Sequence, residues 1–191
     1  LDLKLRKQMQ VELKRLQKLL GITFVYVTHD QEEALTMSDR IAVMNSGVIE
    51  QIDAPMEIYN HPSSRFVAGF IGETNLFDGK VVKVEGDILT VDTSAGVLQI
   101  VGKGFDEGEE IHVSLRPEYA ELSETPVAGF DMRGTIKDFI YLGSSVKTSV
   151  TMPDGSEIKH NRYEQNAQFT ENDTVYVHWN PAKGYAIKKS V

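Results

Sequence analysis

The sequence predicts a two-part chain, an α/β segment followed by a small all-β domain, and three observations carry that expectation. Residues 22–28 form an unbroken apolar or β-branched run, the mark of a strand buried on both faces, as in a parallel sheet covered by helices. An amphipathic helical pattern precedes the run and a helix start follows it, so helix and strand alternate there. From about Asn75 the texture changes to short Val-, Ile- and Thr-rich runs between Gly-, Asp- and Asn-containing turns, with no helical period among them. A length of 191 residues with 41% hydrophobic content is enough for one or two domains with cores of their own.

Taken in order, Leu5, Met9, Leu13, Leu16 and Leu20 recur every three or four residues and form one stripe of a helix. Asp2 is placed to cap its start, and Gly21 to end it in a left-handed conformation. Lys4, Arg6, Lys7, Lys14, Arg15 and Lys18 lie mostly off the stripe and read as a solvated face. The apolar run 22–28 comes next, and then the composition flips to His29-Asp30-Gln31-Glu32-Glu33. In open α/β sheets ligands bind beyond the carboxyl ends of the strands, which is where His29 falls. A neutral imidazole both donates and accepts, which suits a phosphate oxygen or an attacking water. A lone histidine is more often a structural hydrogen-bonder; the place at the end of the strand favours the functional reading.

Residues 31–37 read as a short helix with acids in its first turn, where the helix dipole favours them. Asn45-Ser46-Gly47 between two apolar runs marks a hairpin. Pro55 opens a helix that Asn60-His61-Pro62 stops, Ser63-Ser64 caps another, and Gly72 ends it. His61, in a turn before proline, is given no role. The second half then supplies strands at about 79–84, 88–91, 97–101, 111–115, 132–140, 145–152, 157–161, 175–179 and 185–188, with Met152-Pro153-Asp154-Gly155-Ser156 a strong turn. Strands so spaced predict an antiparallel barrel or sandwich. In Val113-Ser114-Leu115-Arg116-Pro117-Glu118, Arg116 at a strand end can fork to a carboxylate or to backbone carbonyls, and a structural clamp is the expected role. Tyr141, Trp179 and Tyr185 are candidates for a stacking platform, with core packing the plainer reading.

The bulk numbers exclude several classes. A net charge of −8 argues against nonspecific binding of nucleic acid or anionic membrane. With no cysteine there is no disulfide, thiolate metal site or thiol chemistry. No run reaches the roughly 18 apolar residues that a membrane-spanning helix needs.

Val27-Thr28-His29-Asp30-Gln31-Glu32-Glu33-Ala34, followed by Ser38-Asp39-Arg40-Ile41, resembles the switch-histidine region of ABC transporter ATPase subunits. Leu1-Asp2-Leu3-Lys4-Leu5-Arg6 resembles the end of their D-loop. Arg116-Pro117-Glu118 and Gly134-Thr135-Ile136-Lys137-Asp138-Phe139-Ile140-Tyr141-Leu142-Gly143-Ser144 resemble the two signatures of the TOBE accessory domain on importer ATPases. The resemblance implies the rear part of an ABC nucleotide-binding domain over 1–74 and an oligomer-binding-fold-like TOBE barrel over 75–191. It implies that His29 reaches the γ-phosphate of ATP and that Asp2 touches the partner subunit's ATP site. It further implies ATP and Mg2+ as cofactors, most of whose ligands would come from other motifs. The implied partners are a second ATPase subunit, transmembrane permease subunits and, indirectly, a substrate-binding protein, at the cytoplasmic face of the membrane. No Gly-x-x-x-x-Gly-Lys-Ser/Thr loop occurs in the sequence, so this segment alone is not expected to hydrolyse ATP. Phe70-Ile71-Gly72-Glu73-Thr74-Asn75-Leu76-Phe77 looks most like the spermidine/putrescine branch, with sugar or iron import, or a stand-alone ligand-binding TOBE module, as alternatives.

Overall fold

A computed structural model describes residues 3–163 and 169–189, and the chain divides into two compact units, Leu1–Ser63 and Ser64–Val191. The division falls ahead of the change of texture at Asn75.

The first unit begins with helix α1 (Leu3–Leu20), which Gly21 ends at φ +62° while donating its N–H to the Gln17 carbonyl at 3.0 Å. The short helix α2 (Gln31–Met37) is capped by Asp30, whose carboxylate accepts from the N–H groups of Glu32 and Glu33. Strands β1 (Ile41–Asn45) and β2 (Val48–Asp53) pair in an antiparallel hairpin. Ser46 and Gly47 both take positive φ at its tip, as the primed turns that match strand twist demand. Helix α3 (Pro55–Asn60) opens on its proline, whose missing N–H costs nothing at that position.

Residues 22–28 depart from expectation. They form no strand, and Val25 and Val27 are 89% and 92% exposed. Composition equips this run for a sheet centre, but a strand exists only against a neighbour, and no described residue of the first unit pairs with it. The stripe Leu5, Met9, Leu13, Leu16 and Leu20 likewise remains between 39% and 60% exposed.

The second unit starts with helix α4 (Arg65–Phe70), capped by the Ser64 hydroxyl, which accepts from the Val67 N–H at 3.2 Å. Five strands follow as far as a 3-10 turn at Pro117–Tyr119 and the short segment after it: β3 (Asn75–Glu85), β4 (Ile88–Thr93), β5 (Gly96–Val101), β6 (Glu110–Leu115) and β7 (Glu121–Ser123). Then come β8 (Arg133–Tyr141), β9 (Val146–Thr151), β10 (Glu157–Arg162) and β11 (Thr174–His178). A 3-10 turn at Pro181–Lys183 leads into β12 (Tyr185–Lys188). All pairings are antiparallel, in two sheets ordered β12-β6-β3-β4-β5 and β10-β9-β8-β11-β7.

The expected barrel is therefore corrected to two open sheets. The first curls until β12 and β5 approach each other, yet no ladder joins them. The Pro181–Lys183 turn packs against β5 there, and a proline has no N–H to give to a closing ladder. The alternating inward residues of both sheets form one core, from Val81, Leu89 and Leu98 on the first to Ile136, Val150 and Val175 on the second. Trp179 belongs to it, stacked on Phe77 at 5.9 Å and edge-on to Phe130 at 4.9 Å. Tyr185 is half-buried and Tyr141 is exposed, so the three aromatics form no common platform.

Candidate functional site

His29 is exposed and sits on a backbone pinned from both sides. The Thr28 hydroxyl accepts from the Asp30 N–H at 2.9 Å and donates to Glu33 at 2.9 Å. Glu33, buried despite its charge, also accepts from the Tyr26 hydroxyl at 3.0 Å and from the Gln10 amide at 2.7 Å. The Thr28 hydroxyl first, then Tyr26 and Gln10, hold the Glu33 carboxyl below the usual carboxylate range against the opposing effect of burial. Lys14 adds a 2.7 Å bond to the Thr36 carbonyl, so α1 and α2 are tied by two polar links. The imidazole of His29 is thus free to meet a ligand while its main chain is held, the division of labour a binding residue needs.

Sequence reasoning named His29 and missed Glu33. A signal was present: Asp30 and Glu33 stand at the N-cap and third helical positions, the spacing of a capping box. In the structure Glu33 leaves that box and turns to Thr28 and Tyr26, and the Asp30 N–H goes to Thr28 instead. Asp2, the other predicted site residue, lies outside the described residues. Among the described residues no three His, Asp or Glu side chains converge to hold a metal ion.

The second unit carries the other motif. Arg116 is only 3% exposed, and its Nη1 donates to the carbonyls of Ala68, Ile71 and Glu73 at 3.3, 2.7 and 3.2 Å. These are the carbonyls at the end of α4 and just past it, which have no partner within the helix and where the dipole favours a cation. The structure thus gives Arg116 a clamp on backbone carbonyls. Just beyond, the Glu73 carboxylate meets Lys147 at 2.6 Å and Lys159 at 3.8 Å, and the hydrogen bond from Lys147 keeps its carboxyl below the usual range. Thr74 and Ser114 share a 2.8 Å hydroxyl bond. Asn75 is buried on β3, and its amide donates to the Lys159 carbonyl at 2.8 Å while accepting from the Lys159 N–H at 2.7 Å. One side chain thus makes the pair of bonds a neighbouring strand would make, and joins β3 of one sheet to β10 at the edge of the other. Residues 116 and 73–75 together latch α4 onto the β-sheets.

Residues 113–187 match the family model of the TOBE domain. A spermidine/putrescine import ATP-binding protein, PotA, of a Nostoc species is 43% identical over 99% of this chain and 51% of its own length. PotA of Rubrobacter xylanophilus is 46% identical over 94% of this chain and 48% of its own, and PotA of Acetivibrio thermocellus 45% over 99% and 51%. The chain spans about half the length of the curated relatives it matches. Among solved structures, the cytoplasmic molybdate-binding protein ModG aligns over 60% of this chain and 96% of its own with a TM-score of 0.54; at 13% identity the likeness is one of fold. Over nearly all of its length, then, the chain is similar to the C-terminal half of PotA-type ABC ATPase subunits, with the TOBE-domain match, residues 113–187, lying within its second unit.

Proposed function

We propose that this chain forms the switch-histidine segment and accessory domain of an ATP-hydrolysing subunit that drives an ABC importer for polyamines. The observation that carries the reading is His29: an exposed imidazole on a loop locked by Thr28, Asp30 and Glu33, in a chain similar to ATP-binding import proteins throughout. The imidazole there donates to a γ-phosphate oxygen and orients the attacking water, and holding it still is what makes it effective. The part proposed for this segment in hydrolysis is to position His29. Asp2 is proposed to reach the ATP site of a second ATPase subunit. Permease subunits would anchor the assembly at the cytoplasmic face of the membrane and receive substrate from a binding protein.

The test is His29→Ala in the complete ATP-binding protein. Turnover should fall by about 10² to 10⁴-fold while ATP affinity stays within a few-fold. Hydrolysis at the wild-type rate would end the assignment. The substrate is read separately, from uptake of labelled spermidine, a sugar and ferric iron in cells lacking and regaining the subunit. Restored sugar or iron uptake without spermidine uptake would replace the polyamine reading with one of those.

A further inference from the structure

Glu33 is bound in a way that helix capping does not explain. It stands at the third position of α2, from which a carboxylate can reach back to the N–H of the N-cap residue, here Asp30. Instead the side chain is buried, 8% exposed, and none of its three partners carries a charge. Its Oε2 accepts from the hydroxyls of Tyr26 and Thr28, and its Oε1 accepts from the amide of Gln10. Burying a carboxylate among neutral donors is a poor route to stability, and a broken local rule of this kind points to a use other than stability.

The partners of Glu33 surround His29 in sequence. Tyr26 and Thr28 precede it, Glu33 itself lies on the helix that follows, and Gln10 belongs to α1. A threonine hydroxyl has one proton to give and two lone pairs to offer. Glu33 takes the proton of Thr28 at 2.9 Å, which leaves a lone pair facing the Asp30 N–H, also at 2.9 Å. These two bonds bridge over His29, from the residue before it to the residue after it and on to α2. Without the carboxylate the hydroxyl is free to rotate, and Thr28 loses its bond to α2. Gln10 fixes the other carboxylate oxygen to α1, and Lys14, one turn further along α1, holds the Thr36 carbonyl near the end of α2.

We propose that Glu33 is a positioning residue for ATP hydrolysis, fixing the loop of His29 to α1 through the Gln10–Glu33–Thr28 chain of hydrogen bonds. The proposal rests on the assignment of His29 as the residue that meets the γ-phosphate. Glu33 itself touches no substrate. Its influence passes through the imidazole, where a displacement of about 1 Å can cost roughly a hundredfold in rate.

The test is a double-mutant cycle in the complete ATP-binding protein. Glu33→Leu should lower kcat by about ten- to a hundredfold and leave KM for ATP within a few-fold. Added to His29→Ala, the same substitution should slow turnover by less than about twofold, because the group it positions is already gone. Thr28→Val, which removes the hydroxyl, should lose at least about fivefold more than Thr28→Ser, which keeps it. That pair decides the matter if Glu33→Leu does not fold. A wild-type kcat in Glu33→Leu overturns the proposal. So does an equal loss with and without His29, which would mark Glu33 as a support of the fold alone, and so do equal losses in the two Thr28 variants. Failure of the assignment on which it rests shows separately, as a wild-type rate in His29→Ala.

Discussion

The two compact units treat the same kinds of residue in opposite ways. In the second, Leu98, Val81 and Val150 vanish into a core that both sheets fill from facing sides. In the first, the most apolar stretch of the chain stands in solvent, and of the described hydrophobic residues only Ile41, Val43 and Ile58 are buried. Both units have well-formed turns and caps, so local structure is not what separates them. The difference teaches that caps and periodicity form elements, while a core requires faces that find each other within reach. The second unit supplies such faces from its own strands, and the first holds together largely through the Glu33 network and a two-stranded hairpin.

The sharpest way to break this contrast is to separate the units. Residues 64–191 alone should unfold in one cooperative urea transition, and residues 1–63 alone should show none. Residues 75–191 should be less stable than 64–191 by about 2–3 kcal/mol, because removing α4 strips Arg116 of its bonds to the carbonyls of Ala68, Ile71 and Glu73. Equal midpoints for the two polypeptides would show that the clamp contributes nothing.

Point substitutions probe the same contrast more finely. Leu98→Ala should cost about 2–5 kcal/mol by opening a cavity between the sheets, whereas Val27→Ala should stay within about 0.5 kcal/mol. A large loss on Val27→Ala, measured by urea denaturation, would mean that residues 22–28 are covered in solution. Asn75→Ala should cost about 1–3 kcal/mol, since it leaves both the N–H and the carbonyl of Lys159 without their partner.

Acid provides the smallest effect, and it reaches both units. In the second, Lys147 beside Glu73, and Ser156 and then Ser94 beside Asp154, hold the two carboxyls below their usual range. Burial opposes ionisation of Asp78, but Arg65 and His112 outweigh it. Groups depressed in the folded state add stability that is complete above the unfolded value near 4, and that is lost as pH falls through the folded values. His160 widens that window: burial and then the charge of Arg162 bring it down to about 4, so the unfolded chain takes up its proton first and stability is lost as pH falls from about 6.5 toward 4. The urea midpoint of residues 64–191 should therefore start to decline below about pH 6.5 and go on falling below about 4 as the carboxylates protonate. Glu33 titrates in the same direction, so exchange protection in α2 should weaken over the carboxylate part of that interval. A midpoint that rises on acidification would overturn the assignment of these carboxylates as stabilising.

Much of this architecture was legible because its causes are local. Gly21, Asn45-Ser46-Gly47, Pro55, Ser64 and the Asp154-Gly155 turn act through their own backbone conformations, and each stands where a reader of the sequence would put it. Residues 22–28 misled because an apolar run encodes only the wish for two covered faces, not the neighbour that covers them. The open sheets were hidden for a related reason: closure depends on whether β5 and β12 pair, and the Pro181–Lys183 turn that intervenes is far from β5 in sequence. The three residues of β7 are too few to carry a pattern. At the candidate site, His29 could be named from its place after the run, but Glu33 gathers partners from the preceding loop and from α1, and Asn75 works through Lys159, far along the chain. Polar side chains of that kind look like surface until the fold brings their partners to them.

The amide of Asn75 also bears on how the molecule behaves in company. A sheet's outer strand is an invitation: its unsatisfied main-chain groups can recruit the same strand from another molecule, and the process can repeat without limit. On β10 that invitation is withdrawn at Lys159, where both main-chain groups are already engaged by a side chain from within the same chain. A newcomer would have to evict the amide before its first pair of bonds could form. Asn75 therefore acts as a stopper against fibril growth, and its loss should appear as turbidity in concentrated solution before it appears as lost structure.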